Sequence, residues 1–263
     1  MPFRKNLSSR RGDKEKGDPL IEKTDVLSKT PLIGILCWEE GCSPRGLVQL
    51  EKLPGNSTNP ETFAFPVKYC RIKGANIHTI LENPCQKVLQ SMIGEARKME
   101  ARGIRAITTS CGFNAVFQRE LADSVSVPVF TSSLMQIPLV ENMLGKHQTV
   151  GVITAKKSAL TEKHLEGAGV KNRISIHIEG LEACTEWNKI FSSPTEEIDI
   201  PTVEKDVVDI ARSMMKMADI GAFVLECTDL PPFADAIRET TGRPVFDFVT
   251  LTNFIYQAIK NDG

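Results

Sequence analysis

From Pro31 onward, short apolar runs rich in Ile, Val, Phe and Thr alternate with longer segments whose apolar residues recur every three or four positions. That alternation is the signature of parallel α/β units. The short runs predict strands at 32–37, 66–72, 104–110, 127–132, 148–154, 174–180, 221–227 and 244–249. A helix is expected over 84–102, where Asn83 can cap and Pro84 suits the first helical position. There Val88, Leu89, Met92, Ile93, Ala96 and Met99 form one apolar stripe. A second helix near 203–218 places Val203, Val207, Ala211, Met214 and Ala218 on one face, and its methionines read as packing. Residues 1–30 break the pattern: eight basic and five acidic side chains with few large apolar ones predict a mobile extension. The acids Asp13, Glu15, Asp18, Glu22 and Asp25 argue against a transit peptide.

The pattern also repeats. Two apolar runs end in cysteine, Ile104 to Cys111 and Ile220 to Cys227. Each cysteine is followed seventeen residues later by the proline of a Pro-Val-Phe triplet, Pro128-Val129-Phe130 and Pro244-Val245-Phe246. A phenylalanine follows each at +6, Phe117 and Phe233, and Gly34-Ile35-Leu36 is echoed by Gly151-Val152-Ile153 at an offset of 117 against 116 for the cysteines. Two related halves facing each other would bring two thiols to one cleft.

Composition narrows the partner. With 32 basic and 33 acidic side chains in 263 residues there is no basic field for nucleic acid and no long basic face for a membrane, so a small molecule is the expected ligand. Seven cysteines without an apolar signal segment or an even-spaced framework read as reduced thiols in a cytoplasmic protein. Asn6-Leu7-Ser8 and Asn56-Ser57-Thr58 read as chance matches to a glycosylation motif, which needs a secreted context. The histidines His78, His147, His164 and His177 lack ligand spacing and Cys37-x4-Cys42 has no partner pair, so no metal site is expected. No phosphate-binding loop and no dinucleotide fingerprint is present.

In a parallel sheet, ligands sit beyond the carboxyl ends of the strands, where helix N-termini point free N–H groups at the pocket. Cys111 and Cys227 are expected there, with the positive helix end favouring thiolate and bringing the pKa toward neutrality, as a proton-transfer base requires. Free cysteine is otherwise most often buried and inert, and Cys37, Cys42, Cys70, Cys85 and Cys184 are read so.

The segments Thr109-Ser110-Cys111-Gly112 and Leu225-Glu226-Cys227-Thr228-Asp229, with the Pro-Val-Phe strands behind them, resemble the aspartate/glutamate/hydantoin racemase superfamily across most of residues 31–259. The resemblance implies an α/β fold of two pseudo-symmetric lobes, each a parallel sheet flanked by helices, with the active site between them. The first lobe would be 31–132 plus 248–263, since the last helix of such proteins returns to it, and the second 133–247. It implies no cofactor, and PLP-independent chemistry in which one thiolate removes a Cα proton and the other thiol delivers one to the opposite face. Carried over, Thr228 would hold a substrate carboxylate and Asp229 would orient or tune Cys227; Asp229 reads equally as a helix N-terminal acid.

The first motif departs from the amino-acid racemases, which carry Cys-Asn-Thr. Here Cys111 is followed by Gly112, Phe113 and Asn114. The N–H groups of Gly112 and Phe113 could still cradle an oxyanion, but the side-chain clamp is missing or replaced by Asn114. Pro231-Pro232 looks more like relatives that isomerise maleate. The loop from Cys37 to Gly46 lies where family members contact substrate, which singles out Trp38 and also Arg45, either a bidentate carboxylate binder or a surface arginine. Ser132, with Thr131, Ser133 and Asp247, is a candidate for the pocket wall or a plain strand-end and cap residue.

The expected function is that of an isomerase: a racemase or epimerase of a small carboxylate-bearing substrate such as aspartate or glutamate, with Cys111 and Cys227 as acid and base. Cis–trans isomerisation of a small unsaturated diacid by the same cysteines is the alternative, and a non-catalytic binding protein the reading from another class. Assembly into a homo-oligomer is compatible with all three.

Overall fold

The computed structural model describes residues 30–171 and 174–260; most of the extension expected at 1–30 lies outside them. Eight short strands form two four-stranded parallel sheets. The first contains β1 (Ile33–Cys37), β2 (Val67–Arg71), β3 (Ala106–Thr109) and β4 (Val129–Phe130) in the order β2-β1-β3-β4. The second contains β5 (Thr149–Thr154), β6 (Ile176–Gly180), β7 (Ile220–Leu225) and β8 (Val245–Phe246) in the order β6-β5-β7-β8. Central strands β1, β3 and β7 are buried at every position, which is why their sequences are continuous apolar runs rather than alternating ones. Register repeats with order: Ile107 pairs with Val129 and Phe223 with Val245, the same offset that separates the two cysteines.

Helices cover both sheets. Gln86–Ala101 buries Val88, Leu89, Met92, Ala96 and Met99, the stripe expected from the sequence apart from Ile93, which is half-buried. Its start differs from the expectation. Asn83 ends a preceding π-type turn, Ile77–Glu82, donating its N–H to the His78 carbonyl, and the longer helix begins only after Cys85. That turn is fixed at its own start by Asn76, whose side chain accepts from the His78 and Thr79 N–H groups. In the second half Ile200–Met217 begins three residues earlier than expected, because Asp199 accepts from the Thr202 N–H and Pro201 fits the first turn. The last helix, Phe248–Ile259, packs Phe248, Leu251, Tyr256 and Ile259 against Ile33, Ile35 and Ala106 of the first sheet. Among the described residues no helix is long and apolar enough to cross a membrane.

The two sheets share one large core cluster. Leu47 and Leu50 of helix Arg45–Leu50 join Trp187 and Ile190 of helix Thr185–Ser192 in it, and Ser133 donates its hydroxyl to the Leu225 carbonyl at 2.5 Å. A third bridge is the loop after Leu53, where the Ser57 N–H donates to the Thr228 carbonyl and Gly55, at φ +96°, lies against Pro231-Pro232. The carboxyl ends of β1, β3, β5 and β7 therefore face one enclosed space.

Candidate active site

Cys111 ends the turn from β3 into the 3-10 helix Gly112–Phe117, and Cys227 stands two residues beyond β7. Both line a single cavity of about 590 Å³ including its mouth. Trp38, Gly112, Phe113, Thr228 and Asp229 line it as well, so seven of the residues singled out from sequence reach one space. Three do not. Arg45 is exposed and ion-paired to Glu197, because its helix turns that face outward against the second lobe. The Ser132 hydroxyl accepts from the Leu134 N–H and acts as a cap, and Asn114 is buried behind the cavity wall within the 3-10 helix. Thr131 and Asp247 are likewise spent on structure: Thr131 bonds Gln118, and Asp247 caps the last helix through the Thr250 N–H.

The cavity adds residues that sequence reasoning passed over. Arg71, at the end of β2, is its one cationic side chain. Glu51 and Glu226 join Asp229 as three carboxyl groups, and Trp187 and Phe191 join Trp38 and Phe113 as aromatic walls. Asn56, in the loop that bridges the lobes, donates to Asp229 Oδ1 at 2.7 Å and accepts from the Thr58 N–H, which fixes the carboxyl beside the thiol. The Cys227 thiol donates to Asp229 Oδ2 at 3.5 Å, and the Thr228 hydroxyl donates across the lobes to the Ser110 carbonyl at 2.7 Å.

Electrostatics reverse one expectation. Burial, then the nearby Glu226 carboxylate, pushes the Cys111 thiol well above its ordinary pKa; burial, then Asp229 and Glu226, does the same to Cys227. The Phe113 N–H and the indole N–H of Trp38 favour the Cys111 thiolate, but more weakly than burial disfavours it. Trp38 Nε1 has no partner in proper hydrogen-bond geometry. The short 3-10 helix supplies too small a positive end to offset two carboxyl groups in a buried site. Those carboxyls are themselves reluctant acids. Burial raises Glu226 to about 7 against its hydrogen bonds from the Thr154 hydroxyl and Ala155 N–H, and burial raises Asp229 to about 6 against its bond from Asn56. The unliganded site thus favours neutral thiols. Among the described residues no three His, Cys, Asp or Glu side chains converge as a metal ion would require.

Residues 75–252 match the family model described as Asp/Glu/Hydantoin racemase. The chain belongs to this family. It is a family of enzymes, and the two-lobed α/β architecture is its fold. Allantoin racemase from Pseudomonas fluorescens superposes with a TM-score of 0.57 at 15% identity, covering 86% of this chain and 90% of that one. Curated relatives carry another name. A dimethylsulfoniopropionate lyase of Durusdinium sp. clade D is 28% identical over 82% of this chain and 75% of its own length. Dimethylsulfoniopropionate lyase 7 of Emiliania huxleyi (strain CCMP1516) is 30% identical over 79% of this chain, which spans 63% of that relative. Within the family, the aromatic and acidic lining around the two thiols is the property of this cavity that bears on substrate.

Proposed function

We propose that this chain is a lyase that takes a proton from the carbon beside a carboxylate in a small zwitterion and expels an onium group from the next carbon, with dimethylsulfoniopropionate as the leading substrate. The observation that carries this reading is the lining: one cation, Arg71, against Glu51, Glu226, Asp229 and the rings of Trp38, Phe113, Trp187 and Phe191. A sulfonium has no N–H to donate, so it is held by aromatic faces and by carboxylate charge, while Arg71 suits a carboxylate at the other end. The relatives named as lyases of that compound support the same choice.

The chemistry follows from the two thiols. An arriving cation offsets the carboxylate charge that holds the thiols neutral, so binding favours the thiolate that the empty site disfavours. That thiolate, of Cys111 or Cys227, takes the Cα proton; the C–H electron pair forms the Cα–Cβ double bond and the Cβ–S pair leaves on sulfur. The products are acrylate, dimethyl sulfide and a proton held first by the thiol. The Phe113 N–H, bonded to the Cys111 sulfur, supports that thiolate once it forms. Thr228, tied to Ser110, keeps the second loop in register with the first.

Racemisation is the second reading, favoured by one observation: two thiols in matching register line the same cavity. It shares proton removal and differs in that the partner thiol returns a proton to the opposite face. Purified protein assayed with dimethylsulfoniopropionate, aspartate, glutamate and maleate separates them. Dimethyl sulfide released with equimolar acrylate supports the lyase; loss of optical rotation from an amino acid, without release, supports the racemase and overturns the first reading.

A further inference from the structure

Glu226 has so far counted only as part of the acidic lining, and its surroundings are specific. It is the one charged residue closing an otherwise apolar strand, at the position equivalent to Ser110 in the first half. Its Oε2 accepts from the Thr154 hydroxyl at 2.7 Å, and the Ala155 N–H also bonds the carboxyl. Its Oε1 is buried with no partner, in a residue that lines the cavity. That oxygen occupies the place where a side chain at residue 112 would stand: a Cβ built on Gly112 would lie 2.3 Å from Glu226 Oε1. A carboxyl delivered from the opposite lobe thus fills the space beside Cys111 that a side chain at residue 112 would need.

We propose that Glu226 is a further residue of the reaction, a carboxylic acid kept neutral in the cavity wall that donates a hydrogen bond from Oε1 to the substrate carboxylate as negative charge develops on it. The arrangement fits the neutral form. An ionised carboxyl would leave a charged oxygen buried and unpartnered, which is costly, whereas a protonated Oε1 can donate to an acceptor that the substrate supplies. Ionised charge would also oppose the thiolate. The titratable groups facing Glu226 are Asp229 and Cys227 on its own loop and Cys111 on the facing one, and each is disfavoured as an anion while Glu226 is negative. Burial holds the proton on Glu226 up to about pH 7, so a neutral donor is available in the physiological range.

This proposal deepens the carboxylate-substrate reading and rests on it, but its test does not depend on which reaction is catalysed. Propionate is the probe, bound to the whole chain and followed by quenching of Trp38 and Trp187 fluorescence, with infrared spectra of the same samples. Near pH 6 the wild type should show a neutral carboxylic-acid stretch that is absent from Glu226→Gln and that moves to lower frequency when propionate binds. Glutamine keeps an oxygen for Thr154 and Ala155 and an N–H for the ligand. Wild type should bind propionate more weakly at pH 8 than at pH 6 as Glu226 ionises, whereas Glu226→Gln should bind within about threefold of the pH 6 wild type at both values, and Glu226→Leu should bind at least tenfold worse than wild type at pH 6. If turnover is found, Glu226→Leu should lower kcat about 100-fold, as loss of one oxyanion donor does, and Glu226→Gln much less. An unshifted or absent acid band, or a Gln variant as impaired as the Leu variant, overturns the proposal. Wild-type protein that binds propionate this way but turns over no substrate would instead remove the lyase reading and leave this one standing.

Discussion

A thiol enclosed with two carboxyl groups is a poor acid until something positive arrives, and that is the condition of Cys111 and Cys227. In the absence of ligand, iodoacetamide at pH 7 should therefore label both more slowly than the exposed Cys42, as peptide mapping by mass spectrometry would read; faster labelling of either would mean its thiol is not raised as the surroundings imply. Replacing by serine whichever of the two cysteines acts as the base should lower kcat by about 100-fold or more, the scale of a lost acid–base group. Arg71→Ala should raise KM at least tenfold with a smaller effect on kcat, because the guanidinium acts on the bound carboxylate. Arg45→Ala should leave both constants unchanged, and should move stability by less than about 1 kcal/mol, since its pair with Glu197 is exposed. These contrasts mark what the sequence could and could not disclose. Cys111 and Cys227 were legible because the repeat aligned them, and Gly112, Phe113, Thr228, Asp229 and Trp38 because they flank strand ends. Arg71, Glu51 and Asn56 come from a strand terminus and a loop whose spacing carries no period, so only the folded chain brings them in. Glu226 had a signal, a lone charge closing the apolar run Ile220–Leu225, overshadowed by the cysteine beside it.

Strands were the most readable elements, seven of the eight falling within the expected segments and β7 starting one residue before its own, because a strand buried on both faces must be apolar throughout. Helix starts were less readable. Asn83 and Pro84 look like a cap and a first-turn proline, yet the tertiary fold uses Asn83 to close the π-type turn instead. The close approach of the two cysteine loops was legible only as a glycine. A Cβ on Gly112 would meet the Glu226 carbonyl at 2.2 Å as well as its carboxyl, so relaxing that side chain alone cannot make room. Gly112→Ala should accordingly push the lobes apart, costing about 1–3 kcal/mol of stability, as overpacking does, and reducing activity by at least tenfold. Gly103→Ala is the contrasting variant. Nothing lies near its Cβ, so its cost comes from φ +91° alone, and activity should survive. Denaturant midpoints and kcat for the two variants, measured side by side, test whether residue 112 matters through lobe contact.

At the scale of the whole molecule, the cleft stores protons. Glu226 holds its proton to about pH 7 and Asp229 to about 6, both above the values of the unfolded chain, so the native state binds more protons than the unfolded one across that interval. Stability contributed by these groups is therefore full at acid pH and falls as pH rises from about 4 through 7, by roughly 3 kcal/mol for each group. Urea unfolding at pH 5 and pH 8 should show the decline, and Glu226→Gln should remove about half of it; an unchanged decline would assign it elsewhere. The repeated sheet order and register make this cleft, with two lobes of one plan presenting the same corner to each other, and the cysteine offset was enough to anticipate it. What the offset could not reveal was the charge and aromatic character of the enclosed space, which depends on side chains from six separate segments. The central claim is that this space uses its thiols to eliminate an onium group. Proton NMR of dimethylsulfoniopropionate with wild type, Cys111→Ser and Cys227→Ser measures it directly. The account predicts acrylate and dimethyl sulfide in equal amounts from wild type and neither above background from the variant that lacks the thiolate base; release undiminished by both substitutions, or no release at all from wild type, would contradict it.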